Sequence, residues 1–119
     1  MYKNDVSVGV KSDLVNSYAW DTAIVFIQEM GNTNYANKNS MNGSILNTGT
    51  IGDKACNVFD MASNCWEWTT EYCTNQGYPC MLRGGNFTNS GGSFTAYRLH
   101  NSSNNLAANF TFRVLLYIK

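Results

Sequence analysis

Apolar residues recur at helical spacing once, early in the chain. Over residues 19–30, Trp20, Ala23, Ile24, Ile27 and Met30 share one face, while Asp21, Thr22, Gln28 and Glu29 point elsewhere. Asn16 or Ser17 is suited to cap this helix and Gly31 to stop it. Such a stripe predicts core. Beyond it, residues 32–53 (NTNYANKNSMNGSILNTGTIGD) hold no lasting period, because Asn and Gly interrupt every short apolar run. A stretch longer than ~12 to 15 residues without elements of its own is expected to be functional, or held by something other than a strand ladder. Short runs of β-formers at 57–61, 66–70, 80–83 and 111–118 predict strands. The last is apolar nearly throughout and is expected to be buried on both faces. Trp66 and Trp68 read as core residues facing opposite layers. One helix and several short strands in a loop-rich body give an α+β class, with a single domain over 1–119 and neither a repeat nor a linker.

Composition narrows the picture. The 119 residues are enough for one core. Only 13% are charged against a usual share of roughly 25%, so amides and hydroxyls must carry the solvation. A formal net charge of zero gives no electrostatic case for nucleic acid or an anionic membrane as partner. No apolar run approaches the ~20 residues of a spanning helix, and the opening MYKNDVSVGVKSD holds no signal-like stretch, so a soluble chain without membrane insertion is expected. Cys56, Cys65, Cys73 and Cys80 form no Cys-x-x-Cys pair, which argues against structural zinc. Cys73 and Cys80 either close a small loop in an oxidising setting or stay free. The single histidine, His100, has no cysteine or serine at a recognisable spacing and reads as a surface residue.

Three segments taken in order resemble one family. LVNSYAWDTA at 14–23, NVFDMASNCWEWTTEY at 57–72, and LRGGNF at 82–87 followed by TFR at 111–113 are similar to the helix start, the W-E-W motif and the R-G-G … F-R ending of formylglycine-generating enzyme-like (sulfatase-modifying factor) domains. The resemblance implies an elaborated C-type lectin-like fold, here compact or N-terminally truncated, with the stretch between the arginines on the ligand-facing side. It also implies a copper site on two cysteines in the oxygen-using members, at the fourth and ninth positions after R-G-G. Those positions are Asn89 and Phe94, neither of which can replace a thiolate, so no copper and no catalysis are expected. A structural calcium carries over onto side-chain oxygens of Asp60 and Glu67 and the carbonyls of Ser63 and Cys65, with Ser63 departing from the family glycine. The alternative is that Glu67 fixes its loop without metal, through backbone N–H groups or an arginine. Arg83 and Arg113 are expected to be structural clamps, paired with carbonyls or with carboxylates such as Glu67 or Glu71.

The segment 84–113 is drawn from a restricted alphabet. Residues 1–83 contain seventeen Lys, Glu, Gln, Met or Trp; at that rate about seven are expected in 84–118, which holds none. C-type lectin domains of this subtype serve as variable proteins of diversity-generating retroelements, where randomised adenines in Asn codons exclude those same five residues. The resemblance thus implies a non-catalytic ligand- or receptor-binding protein of phage, prophage or bacterial surface origin. Its partner is expected to be a protein or carbohydrate on a cell surface. Thr88, Asn89, Ser90, Ser93, Thr95, Tyr97, Leu99, His100, Ser102, Asn104 and Asn105 would form the exposed face and Phe87, Phe112 and Val114 the framework. Aromatic rings among Ser, Thr and Asn are the mix that paratopes use. A fixed carbohydrate- or protein-binding lectin-like module is one alternative, and a formylglycine-generating or related metal-dependent oxidase another.

Overall fold

A computed structural model describes residues 9–39, 43–50, 52–88 and 93–118. In chain order these are β1 (Val10–Leu14), α1 (Ser17–Glu29), a 3-10 turn (Tyr35–Asn37), β2 (Lys54–Ala55), β3 (Val58–Phe59), β4 (Trp66–Tyr72), β5 (Cys80–Arg83), β6 (Arg98–Asn101), β7 (Phe110–Phe112) and β8 (Val114–Ile118). The main sheet runs β6-β5-β4-β7, with β7 parallel to β4 and the other pairs antiparallel. β1 pairs antiparallel with β8 as a second ribbon. The Thr70 N–H joins the two by donating to the Val15 carbonyl, at 3.2 Å.

The helix begins and ends as its residues dictate. Asn16 Oδ1 accepts from the Ala19 N–H at 2.8 Å. At the other end Gly31, at φ +108°, lets its own N–H reach the Gln28 carbonyl and the Asn32 N–H reach that of Ile27, at 3.1 and 3.3 Å. Trp20, Ile24 and Ile27 are buried, whereas Met30 lies past the last turn and is exposed.

The long irregular stretch is held by a side chain. Asp53, fully buried, accepts from the Tyr35 hydroxyl (3.1 Å), the Lys38 ammonium (2.8 Å) and the Ala62 N–H (2.6 Å). Its own carbonyl takes the Asp60 N–H at 2.8 Å. One carboxylate thus joins the 3-10 turn, the β2–β3 hairpin and the loop before β4, which satisfies polar groups that no ladder reaches. Burial, and then Asp53 itself, pushes the Tyr35 phenol pKa well above its ordinary value.

The C-terminal expectation needs correction. The chain breaks at Arg113, so β7 belongs to the main sheet and β8 to the β1 ribbon, each with one neighbouring strand. Phe112 (57% exposed), Val114 (45%) and Leu116 (56%) are therefore not buried, and Phe112 and Val114 are surface rather than framework. Trp66 and Trp68 are also placed otherwise than expected: residues two apart in a strand share a face. Trp66 lies beside Tyr97, at 6.0 Å between ring centroids, and Trp68 against Phe110, at 5.4 Å.

Candidate functional site

The two arginines that bracket the restricted segment meet on one ring. The guanidinium carbons of Arg83 and Arg113 lie 5.7 and 5.8 Å from the Trp20 ring centre. The Trp20 indole N–H donates to the Thr95 carbonyl at 2.9 Å. Helix, R-G-G, F-R and the segment between them therefore converge on a single buried side chain. Gly84 and Gly85 follow from this packing. A Cβ on Gly84 would sit 2.7 Å from the Met61 carbonyl and 3.1 Å from the Trp20 ring, and one on Gly85 2.7 Å from the Ser93 carbonyl, both at positive φ.

Both arginines are clamps. Arg113 grips Glu67 through two bonds of 2.7 and 2.9 Å and also donates to the Phe59 carbonyl at 2.8 Å. Burial raises the Glu67 pKa, and Arg113 opposes the rise. Arg83 is fully buried and bonds Asp21 at 2.5 Å; Arg98, at the surface, takes the other Asp21 oxygen at 2.6 Å and Glu71 at 3.3 Å. The Ser17 hydroxyl donates to Glu71 across the same cluster. Desolvation lowers the Arg83 pKa, opposed by its hydrogen bond to Asp21.

The sheet divides the expected ligand face in two. In the register, Trp68, Leu82 and Leu99 stand opposite one another across β4, β5 and β6, as do Glu67, Arg83 and Arg98 one position along. Trp66, Trp68, Leu99, Phe110 and Phe112 thus share the side away from the helix, with Tyr97 against Trp66. Asn101, buried, shapes the next loop by accepting from the Ser102 N–H and the Asn105 amide at 2.8 and 2.9 Å. A cleft of about 430 Å3 opens between Trp68, Asn105, Phe110, Phe112 and Leu106, the last 93% exposed. His100 lies on the other side, with Arg98.

Of the expected face, Thr88, Tyr97, His100, Asn104 and Asn105 are exposed and Leu99 and Ser102 half-buried, while Asn89 and Ser90 lie outside the described residues. Ser93 and Thr95 do not belong to it. Ser93 is buried under Gly85, and Thr95 is pinned by its N–H and hydroxyl to the Lys38 carbonyl, each at 3.0 Å. His100 carries a second correction: its Nδ1 lies 3.2 Å from Cys73 Sγ. The partners are 27 residues apart, on β6 and just past β4, a distance in sequence that no local motif spans. All four cysteines are free thiols.

The metal donors fit in part. Asp60, Asn64, Cys65, Glu67 and Arg113 line one cleft of about 370 Å3. Asp60 Oδ1 is buried without a partner, as a cation ligand would be, whereas Oδ2 accepts from the Gly49 N–H at 3.0 Å. Glu67, however, has both oxygens on Arg113. Among the described residues no three His, Cys, Asp or Glu side chains converge on one point. At the position that the resemblance assigns to the second copper cysteine stands Phe94, an exposed phenyl ring with no donor atom. No helix among the described residues is long and apolar enough to cross a membrane.

The fold is shared with CarF, whose solved structure superposes with a TM-score of 0.70 at 16% identity, over 91% of this chain and 47% of CarF. The chain thus spans about half the length of that protein, and at this identity the likeness speaks for the fold alone. A search among curated proteins gives no significant match. Residues 9–118 match the model of the sulfatase-modifying factor enzyme 1-like domain, and that span includes the Trp20, W-E-W, R-G-G and F-R residues gathered above; the chain belongs to this family.

Proposed function

We propose that this chain is a non-catalytic ligand- or receptor-binding domain whose segment 86–109 is a diversified recognition surface of a phage, prophage or bacterial surface element. The observation that carries the reading is the absence of Lys, Glu, Gln, Met and Trp from 84–118, set against seventeen of them in 1–83. The geometry supports it further. Tyr97, Leu106 and Phe112 give large exposed apolar area, Asn104 and Asn105 add adaptable donors and acceptors beside Leu106, and Thr88 is exposed as well. Beneath them Thr95, Ser93, Asn101 and the Trp20 cluster form a packed base, the arrangement a surface needs if its side chains are to change without loss of fold. The expected ligand is a protein or carbohydrate of a cell surface. Tyr97→Ala combined with Asn104→Ala and Asn105→Ala should abolish binding to glycan and cell-surface protein arrays while leaving the melting temperature within a few degrees. Unchanged binding would favour a structural role.

The oxidase alternative requires a thiolate pair that Asn89 and Phe94 do not supply. Incubation with copper and a cysteine-containing peptide should consume no oxygen, and consumption above the peptide-only control would overturn the non-catalytic reading. A structural calcium also belongs to the proposal. Its support is the unpaired Asp60 oxygen, with Glu67 held back by Arg113 as an outer partner. Calcium should raise the melting temperature over a chelated sample, and Asp60→Asn should remove the difference.

A further inference from the structure

We propose that Cys73 and His100 form a thiol–imidazole pair, and that Cys73 is the position at which this chain exchanges with small-molecule disulfides to carry a mixed disulfide. The pair is the next rung of a ladder laid down by the sheet. Glu71 and Cys73 alternate along β4 and its exit, and Arg98 and His100 alternate along β6, with β5 between. Arg98 meets Glu71 at 3.3 Å, and one rung on His100 Nδ1 meets Cys73 Sγ at 3.2 Å. Neither partner is loosely placed. The Cys73 N–H donates to the Pro79 carbonyl at 2.8 Å, and His100 lies opposite Met81 in the β5–β6 register. The sulfur is half-buried and the imidazole exposed, so a small molecule can reach the pair from solvent.

The chain holds one histidine, so no other cysteine has an imidazole beside it. Cys80, the nearest thiol in sequence, stands opposite Tyr72 and Asn101, on the alternate face of β5 from Met81. An external disulfide, rather than Cys80, is the partner this placement favours. The cleft of about 400 Å3 that begins at the adjacent Tyr72 sets no preference for a charged reagent, because its guanidinium, Arg98, is already paired with the Asp21 and Glu71 carboxylates that line the same cleft.

The step balances without a further reagent. The Cys73 thiol proton passes to His100 Nδ1, and the sulfur attacks one sulfur of R–S–S–R. The S–S bond breaks, Cys73–S–S–R forms, and the departing thiolate takes the proton from the imidazolium to leave as R–SH. Cys73 is oxidised and half of the reagent is reduced. This is a modification of the chain, not a turnover, and it stands or falls independently of the binding role.

The molecule carries its own comparator, because Cys56 is more exposed than Cys73 and sits on the β2–β3 turn. With dithiobis(nitrobenzoate), followed by absorbance and by peptide mass mapping at pH 7, Cys73 should be labelled about tenfold faster than Cys56. His100→Gln should bring Cys73 down to the Cys56 rate and leave Cys56 itself unchanged. Neutral dithiodipyridine should show the same preference for Cys73, because the imidazole acts on the thiol and not on the reagent. A Cys73 rate no greater than that of Cys56, or one that His100→Gln does not lower, overturns the proposal. The ratio in the unaltered protein needs no variant and decides the matter by itself if the substitution unfolds the chain.

Discussion

Substitution of Trp20 by Phe tests whether the three family motifs act as one packed unit. The ring is 1% exposed, so the change alters an interior already packed at crystal-like density. Three losses add. The indole N–H no longer satisfies the Thr95 carbonyl, and leaving a buried acceptor without its donor costs about 1 to 3 kcal/mol. The smaller ring leaves a void on the side where Gly84 packs against the indole, at about 1 kcal/mol or more. Two guanidinium contacts weaken, together about 0.5 to 1 kcal/mol, since indole is the best ring for them. The expected sum is about 2.5 to 5 kcal/mol, a large share of the roughly 5 to 15 kcal/mol that such a domain holds. Urea unfolding followed by far-ultraviolet circular dichroism measures it as a shift in midpoint at constant slope. Trp68→Phe is the comparator: that ring is half-buried on the opposite side of the sheet, and it should cost no more than about 1.5 kcal/mol. A Trp20→Phe loss under 1 kcal/mol, or one equal to that of Trp68→Phe, would refute the idea that Trp20 joins the motifs.

Asp53→Ala should be the most damaging change in the irregular half, about 3 to 5 kcal/mol, because it strands Lys38, the Tyr35 hydroxyl and the Ala62 N–H at once; a thermal melt that stays within a few degrees of the parent would contradict this. Gly85→Ala should lower stability by about 2 kcal/mol or more, since a Cβ there would meet the Ser93 carbonyl at 2.7 Å on a backbone at φ +81°, and a neutral result in chemical denaturation would show that the turn yields. The Glu67 pKa is raised on folding, so the folded chain holds its proton more tightly than the unfolded one. Stability owed to Glu67 is therefore full below the unfolded pKa and falls as pH rises through the folded one. The stability of the parent minus that of Glu67→Gln should accordingly fall from pH 4 toward neutrality, and a rise over that range would mean that Arg113 outweighs burial.

Legibility in the sequence followed how local each cause is. The helix was readable because its stripe and its two ends lie within seventeen residues, from Asn16 to Asn32, and the structure bears out Asn16 and Gly31 as its ends. The Arg113–Glu67 clamp was readable as a chemical pairing, though which carboxylate Arg83 would take was not: Asp21 comes from the helix, 62 residues away. β1 and β6 were missed, since VKSDL and RLHN are poor in β-formers and owe their state to pairing with β8 and β5. The break at Arg113 was invisible for the opposite reason. An unbroken apolar run conceals that its central arginine turns inward to Glu67 and sends the two halves to different sheets. Within the segment, composition identified a surface-like stretch but could not say that Thr95 faces the core or that His100 and Tyr97 lie on opposite sides of the sheet. The contact of Cys73 with His100 depends on strand order alone, and residue spacing does not encode that.

A recognition surface varied on a constant frame would leave its record in the DNA beside the coding sequence. A near-identical repeat rich in AAC codons should lie there, next to a reverse transcriptase. Its differences from the coding copy should be confined to adenines and fall on exposed positions such as Thr88, Tyr97, Asn104 and Asn105, with Thr95 and Arg113 spared. No such repeat, or differences spread over other bases and over the buried frame, would contradict it.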